Sequence, residues 1–149
     1  MRLWNLTYND PRRWAEVHAI SGKPLGFWAS VKAGGTGSPR AELVGGSGKL
    51  RELVGVASAM TGCNFERTAN GAILYFRSRL EVYGAPFRKG EISGITSVAD
   101  GHDALLTIWC GWTDAEGEMQ SGSVDMRCAE ATAHRMEAYI RRWLMDGED

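Results

Sequence analysis

The chain has 149 residues, 44% of them hydrophobic and 23% charged, a balance that suits one folded core and excludes the disordered and disulfide-scaffold classes. Lys and Arg number 17 against 18 Asp and Glu, a formal charge of -1, so the basic excess of a duplex-binding surface is missing. No apolar run reaches the roughly 18 residues of a membrane span, no secretory h-region follows Met1-Arg2, and the dispersed Cys63, Cys110 and Cys128 cannot form a complete disulfide set, which points to a reducing, cytoplasmic compartment.

In chain order, Trp4, Leu6 and Tyr8 alternate with polar neighbours and predict a first strand that ends at Asn9-Asp10-Pro11. Asp10 as N-cap, Pro11 at the first helical position and Gly22 past the end predict a helix over 11–20 with Trp14 and Val17 inward. Leu25, Phe27, Ala29 and Val31 alternate with Gly26, Trp28 and Ser30, which predicts a second strand with Trp28 on its other face. The stretch 33–48 is rich in Gly, Ser and Pro and reads as a flexible loop. From Ser47 as cap, Leu50, Leu53, Val54, Ala57 and Met60 fall on one helical stripe that Gly62 would stop.

Residues 72–83 read as one strand turned at Gly84-Ala85-Pro86, after which Phe87 to Val98 returns with Gly90 and Gly94 as bulge positions. Asp100-Gly101 is a hairpin dipeptide, and Leu106, Ile108, Cys110 and Trp112 then share one strand face. A turn at Asp114–Gly117 leads to a strand with Val124, Met126 and Cys128 inward. Ala129, Ala133, Met136, Ile140, Trp143 and Leu144 line one side of a final helix, with Glu137 and Arg141 paired on another. The fold class is therefore α+β: an antiparallel β meander over about 72–128 closed by a C-terminal amphipathic helix, with a mixed strand and helix N-terminal segment in the same domain, 1–149.

The segments Ala72–Gly84, Phe87–Val98, Ala104–Trp112 and Gly122–Arg127, followed by the helix, resemble the later part of bacterial pleckstrin-homology-like domains. That resemblance spans residues 72–145, and residues 1–71 depart from the strand-rich start of such domains. Helix-grip lipid-binding proteins are similar in another way, since they begin with a strand, place two helices early and end on a long one. Neither resemblance supplies a catalytic residue.

Gly45-Gly46-Ser47-Gly48-Lys49-Leu50 has the flavour of a phosphate loop, but Leu43 stands where the first Gly belongs and Leu50 where Ser or Thr would hold magnesium. No Cys or His has a partner at zinc-site spacing, and the clusters Asp100/His102/Asp103 and Asp114/Glu116/Glu118 read as polar turns. Cys110, on the face of Leu106 and Ile108, reads as core rather than nucleophile, and Glu81 with Glu91 as solvated charges. No catalytic residue, metal site or cofactor is assigned.

Six Trp exceed what a core of this size uses and suit a binding surface. Trp28, Trp109 and Trp112 are the aromatic candidates, and Arg77, Arg79, Arg88 and Lys89 form a cationic patch if the strands that carry them pair. The reading is a non-enzymatic binding or adaptor protein whose partner is another protein or an anionic ligand, with homo-oligomers left open. The alternatives are a lipid or small-molecule carrier, or small enzyme, with an apolar pocket lined by Trp109, Trp112 and Trp143 under the last helix, and a small inhibitor of another macromolecule.

Overall fold

The computed structural model describes residues 2–32, 35–56 and 61–145. Among these, the elements in chain order are β1 (Trp4–Asn5), α1 (Pro11–Ser21), α2 (Phe27–Lys32), β2 (Ala41–Gly46), α3 (Lys49–Val56), β3 (Thr61–Arg67), β4 (Gly71–Ser78), β5 (Glu81–Arg88), β6 (Ile92–Asp100), β7 (Asp103–Thr113), β8 (Met119–Ala129) and α4 (Glu130–Trp143). The strands form one antiparallel sheet in the order β1-β5-β4-β3-β2-β8-β7-β6. No described helix is long and apolar enough to cross a membrane.

Local chemistry sets α1 as expected. The Asp10 carboxylate accepts the Arg12 N–H at 2.9 Å, Pro11 occupies N1, and Gly22 at φ 79° donates its N–H to the His18 carbonyl. α1 lies on one face of the sheet, where Leu6, Val17 and Ile73 form a small cluster with Trp4, Trp14 and Tyr75 packed against it. The opposite face carries the main core, in which Leu74, Phe65, Leu106, Ile108 and Met126 meet Met136, Ile140 and Leu144 of the α4 segment. Ile73 and Leu74 thus point to two covered faces, which explains the continuous apolar run of β4.

Several expectations are overturned. The alternation over 25–31 forms α2 instead of a strand, because no neighbouring strand lies beside it and Ser30 N–H bonds the Gly26 carbonyl within the segment. The expected loop 33–48 contains β2, paired with both β3 and β8, although Ala33 and Gly34 lie outside the described residues. Ser47 does not cap α3 through its side chain: its hydroxyl accepts the Ser123 N–H at 2.9 Å. Ala57 and Met60 of the expected stripe also fall outside the described residues, while Gly62 is a β3 residue opposite Glu42 rather than a helix stop.

A further correction concerns the first hairpin. Residues 72–83 are not one strand, since the chain reverses at Arg79-Leu80 with Ser78 opposite Glu81, and Gly84-Ala85-Pro86 lies inside β5. Arg79 takes the left-handed conformation, φ 58°, without glycine's help. Gly84 leaves room for Leu6, whose side chain a Cβ there would meet at 2.6 Å. Phe87 to Val98 is not one returning strand either: Phe87 and Arg88 end β5, and Gly90 at φ 93° lies in the turn that follows rather than in a bulge. β6 pairs with β7 and not with β5, so the expected single meander over 72–128 is broken between them. The hairpin at Asp100 stands as read, with Asp100 facing Asp103 around Gly101, and the register shift between Ile92 and Gly94 places a bulge at Gly94.

Gly71 supplies a direct check on this packing. A Cβ there would be driven against the Phe87 backbone carbonyl, whereas Gly101 has open space and only its φ of 65° to oppose a side chain. Gly71→Ala is expected to lower the unfolding free energy by about 3 kcal/mol and Gly101→Ala by about 1 kcal/mol. Urea denaturation of the two variants measures the difference.

Candidate functional site

Two turns and one helix end converge at a rim of the sheet. The β3–β4 turn and the β5–β6 turn are joined by the Lys89 N–H, which donates to the Asn70 carbonyl at 2.9 Å. The Gly90 N–H donates to the Leu144 carbonyl at 2.8 Å and so pins the end of α4 to the second turn. From the other side, Asn70 and Ala69 donate their N–H groups to the Ser21 and Lys23 carbonyls, each at 2.9 Å, and the Thr68 hydroxyl donates to Ser21 at 2.5 Å. With its backbone groups satisfied in this way, the β3–β4 turn is held as a wall.

Between these elements lies a cleft of about 610 Å³ whose lining includes Arg67, Asn70, Lys89, Arg142 and Trp143. The Arg67 guanidinium sits 3.6 Å and that of Arg142 4.5 Å from the centroid of the Trp143 ring. Stacking of this kind is worth about 0.5–1 kcal/mol at an exposed site and restricts the rotamers of both arginines. Among the described residues, no carboxylate lies within 4 Å of Arg67, Lys89 or Arg142. The neighbouring acids have other partners: Glu66 accepts the Thr36 hydroxyl at 3.3 Å, and Glu91 pairs with Arg2 and accepts the Arg88 N–H at 2.8 Å.

The cationic patch read from the sequence does not form as a unit. Arg77 lies opposite Val82, while Arg88 lies opposite Gly71. From 82 to 88 is six strand residues, about 20 Å, so Arg77 and Arg79 occupy one end of the hairpin and Arg88 and Lys89 the other. The cause is the reversal at Arg79-Leu80. Of the four, Lys89 lines the cleft, in company with Arg67 and Arg142, which strand periodicity and helix faces did not single out as a cationic group. Nor do the three aromatic candidates converge. Trp28 is 76% exposed on α2 beside the equally exposed Phe27, Trp109 is 49% exposed on β7, and Trp112, three residues further on the same strand, packs against the core with the Arg2 guanidinium 5.4 Å from its ring.

The polar clusters serve turns. Asp114 accepts the N–H groups of Glu116 and Glu118 at 3.0 and 2.9 Å and the Gln120 amide at 2.9 Å, and these bonds, that of Gln120 foremost, hold its carboxyl below the usual range. The described residues contain no cluster of three or more metal-ligating side chains. No protein family, no characterised protein and no solved structure matches the chain.

The thiols are poor nucleophiles. Burial, above all other influences, pushes Cys63 up to about 12 and Cys110 up to about 11. The unfolded thiols ionise near 9, so the neutral-thiol preference of the fold contributes fully below that pH and is lost as pH rises through 11 and 12. The urea midpoint is expected to fall between about pH 9 and 11, and to fall less in a Cys63→Ala, Cys110→Ala variant. Native protein at neutral pH is expected to leave both thiols unalkylated by iodoacetamide, as mass spectrometry of the digested chain would report.

Proposed function

We propose that this chain is a non-enzymatic binding or adaptor domain of pleckstrin-homology-like type that acts through its surface, on a protein or an anionic ligand, in a reducing cytoplasmic compartment. The observation that carries the reading is the packed inner face of α4. Met136, Ile140 and Leu144 are fully buried, Ala133 is nearly so, and all four belong to one cluster with Phe65, Leu106, Ile108 and Met126. A carrier needs an apolar cavity at that place, and its proposed lining is dispersed: Trp109 is half-exposed and Trp143 stands at the rim under arginine.

The strand order supports the domain type. β2 to β5 and β6 to β8 are two antiparallel meanders joined edge to edge by β2 and β8, and a helix follows the last strand directly. The three cysteines are free, and Cys63 and Cys110 are buried, in keeping with a reducing compartment. The exposed pair Phe27 and Trp28 supports a protein partner, since aromatic side chains dominate the energetics of such contacts.

Titration with an apolar probe tests the reading. Palmitate and a hydrophobic dye are each expected to give no saturable signal with the native protein. A Met136→Ala variant, destabilised by about 3 kcal/mol, is expected to gain dye binding. Saturable binding of palmitate at one site in the wild type would overturn the surface-acting reading in favour of a carrier.

A further inference from the structure

We propose that the cleft between the β3–β4 turn, the β5–β6 turn and the end of α4 is a binding site for a phosphate monoester dianion. The inference rests on the surface-acting reading and gives its anionic ligand a chemical class. Arg67, Lys89 and Arg142 bring three positive charges to one concave site in a chain whose formal charge is -1, so the positive field is a local arrangement and not a property of the whole surface. A concave wall concentrates that field more than a flat face does.

The donor set fits a tetrahedral dianion better than a carboxylate. Arg67 and Arg142 present planar forks whose orientation Trp143 restrains, and such forks match the oxygens of a phosphate two at a time. Lys89 supplies a point charge from the facing turn. A single negative charge would leave two of the three cations facing each other without compensation. A monoester carries close to two charges and three strong acceptor oxygens at neutral pH.

The same geometry argues against a stacked nucleobase as the recognised feature. Sequence-tolerant binding of single strands relies on free aromatic faces, and the ring of Trp143 already has Arg67 at 3.6 Å and Arg142 at 4.5 Å. The Gly45–Leu50 stretch adds nothing to the cleft, since Ser47 is bonded to Ser123 on another part of the sheet.

Calorimetric titration of the full chain with glycerol 3-phosphate at about pH 7.5, where the second phosphate proton is lost, is the test. One saturable site is expected, weakened about tenfold by Lys89→Gln and about tenfold by Arg142→Gln. Arg142→Lys, which keeps the charge but loses the fork, is expected to fall between, and circular dichroism melts check that each variant is folded. Dimethyl phosphate, a monoanion, is expected to bind about tenfold more weakly, and affinity for the monoester to drop as pH falls through about 6. Sedimentation with phosphatidylcholine vesicles, with and without phosphatidic acid, separates the sources: cleft-dependent capture by phosphatidic acid assigns the monoester to a lipid, and its absence beside intact glycerol phosphate binding assigns it to a soluble ligand. The proposal is overturned if folded wild type gives no saturable heat, if both glutamine variants bind as wild type does, or if dimethyl phosphate binds equally well. Any of these leaves the surface-acting reading standing, which fails instead on palmitate binding.

Discussion

The pairing of β2 with β8 is the joint on which the rest of the sheet depends. On one side of it lie β3, β4, β5 and β1, on the other β7 and β6. Each set alone would leave one face of hydrophobic side chains and one long row of backbone groups without partners. The joint sets the buried Leu43 against Met126 and Gly46 against Val124, with a register shift between Leu43 and Gly45. Ser47 extends it past the end of the strand, giving its N–H to the Ser123 carbonyl at 3.0 Å and accepting the Ser123 N–H through its hydroxyl. Both sets then contribute to one core instead of two thin ones.

The cleft inherits its geometry from the same joint. α4 begins at Glu130, immediately after β8, so the direction of the helix is set where β8 leaves the sheet. Its far half is tied down twice, by the Tyr139 hydroxyl on the Thr36 carbonyl at 2.8 Å and by the Leu144 carbonyl on Gly90. Phe65 stacks on Tyr139 with ring centroids 6.4 Å apart, which places the end of β3 under the last turns of the helix. Arg67 follows Phe65 by two residues and reaches Trp143 for that reason. Three cations distant in sequence become neighbours because a helix, a strand and a turn are each bonded to a common frame.

Elements fixed by local chemistry were legible in the sequence. α1 announces itself through Asp10, Pro11 and Gly22, and the inward faces of β7 and β8 through strict alternation. The elements that escaped depend on distant partners. β2 looks like a loop because Gly45 and Gly46 suppress the strand pattern, and their small size is needed for the neighbours: a Cβ at Gly45 would stand 3.1 Å from the Asp125 carboxylate. β3 carried a usable signal in Cys63 and Phe65 alternating with Asn64 and Glu66, followed by the hairpin dipeptide Asn70-Gly71. The Arg79-Leu80 reversal carried almost none, having neither Gly nor Asn, and it misplaced the cationic patch. Lys89 was named for the wrong neighbours. Arg67 and Arg142 have no local signature at all, since what joins them is the ring of Trp143.

The glycines of β2 also bear on how the chain reaches its fold. Glu42 and Arg127 pair across 85 positions (127 − 42), so the outer edge of β2 is complete long before its partner strand has been synthesised. An open edge of Val, Ile and aromatic residues would meanwhile be a template for the wrong strand, from the same chain or from another. Ala41-Glu42-Leu43-Val44-Gly45-Gly46 is a poor template of that kind, with a charge near one end and two weak strand formers at the other. The feature that conceals β2 from a reader of the sequence conceals it equally from unintended partners while β8 is still to come.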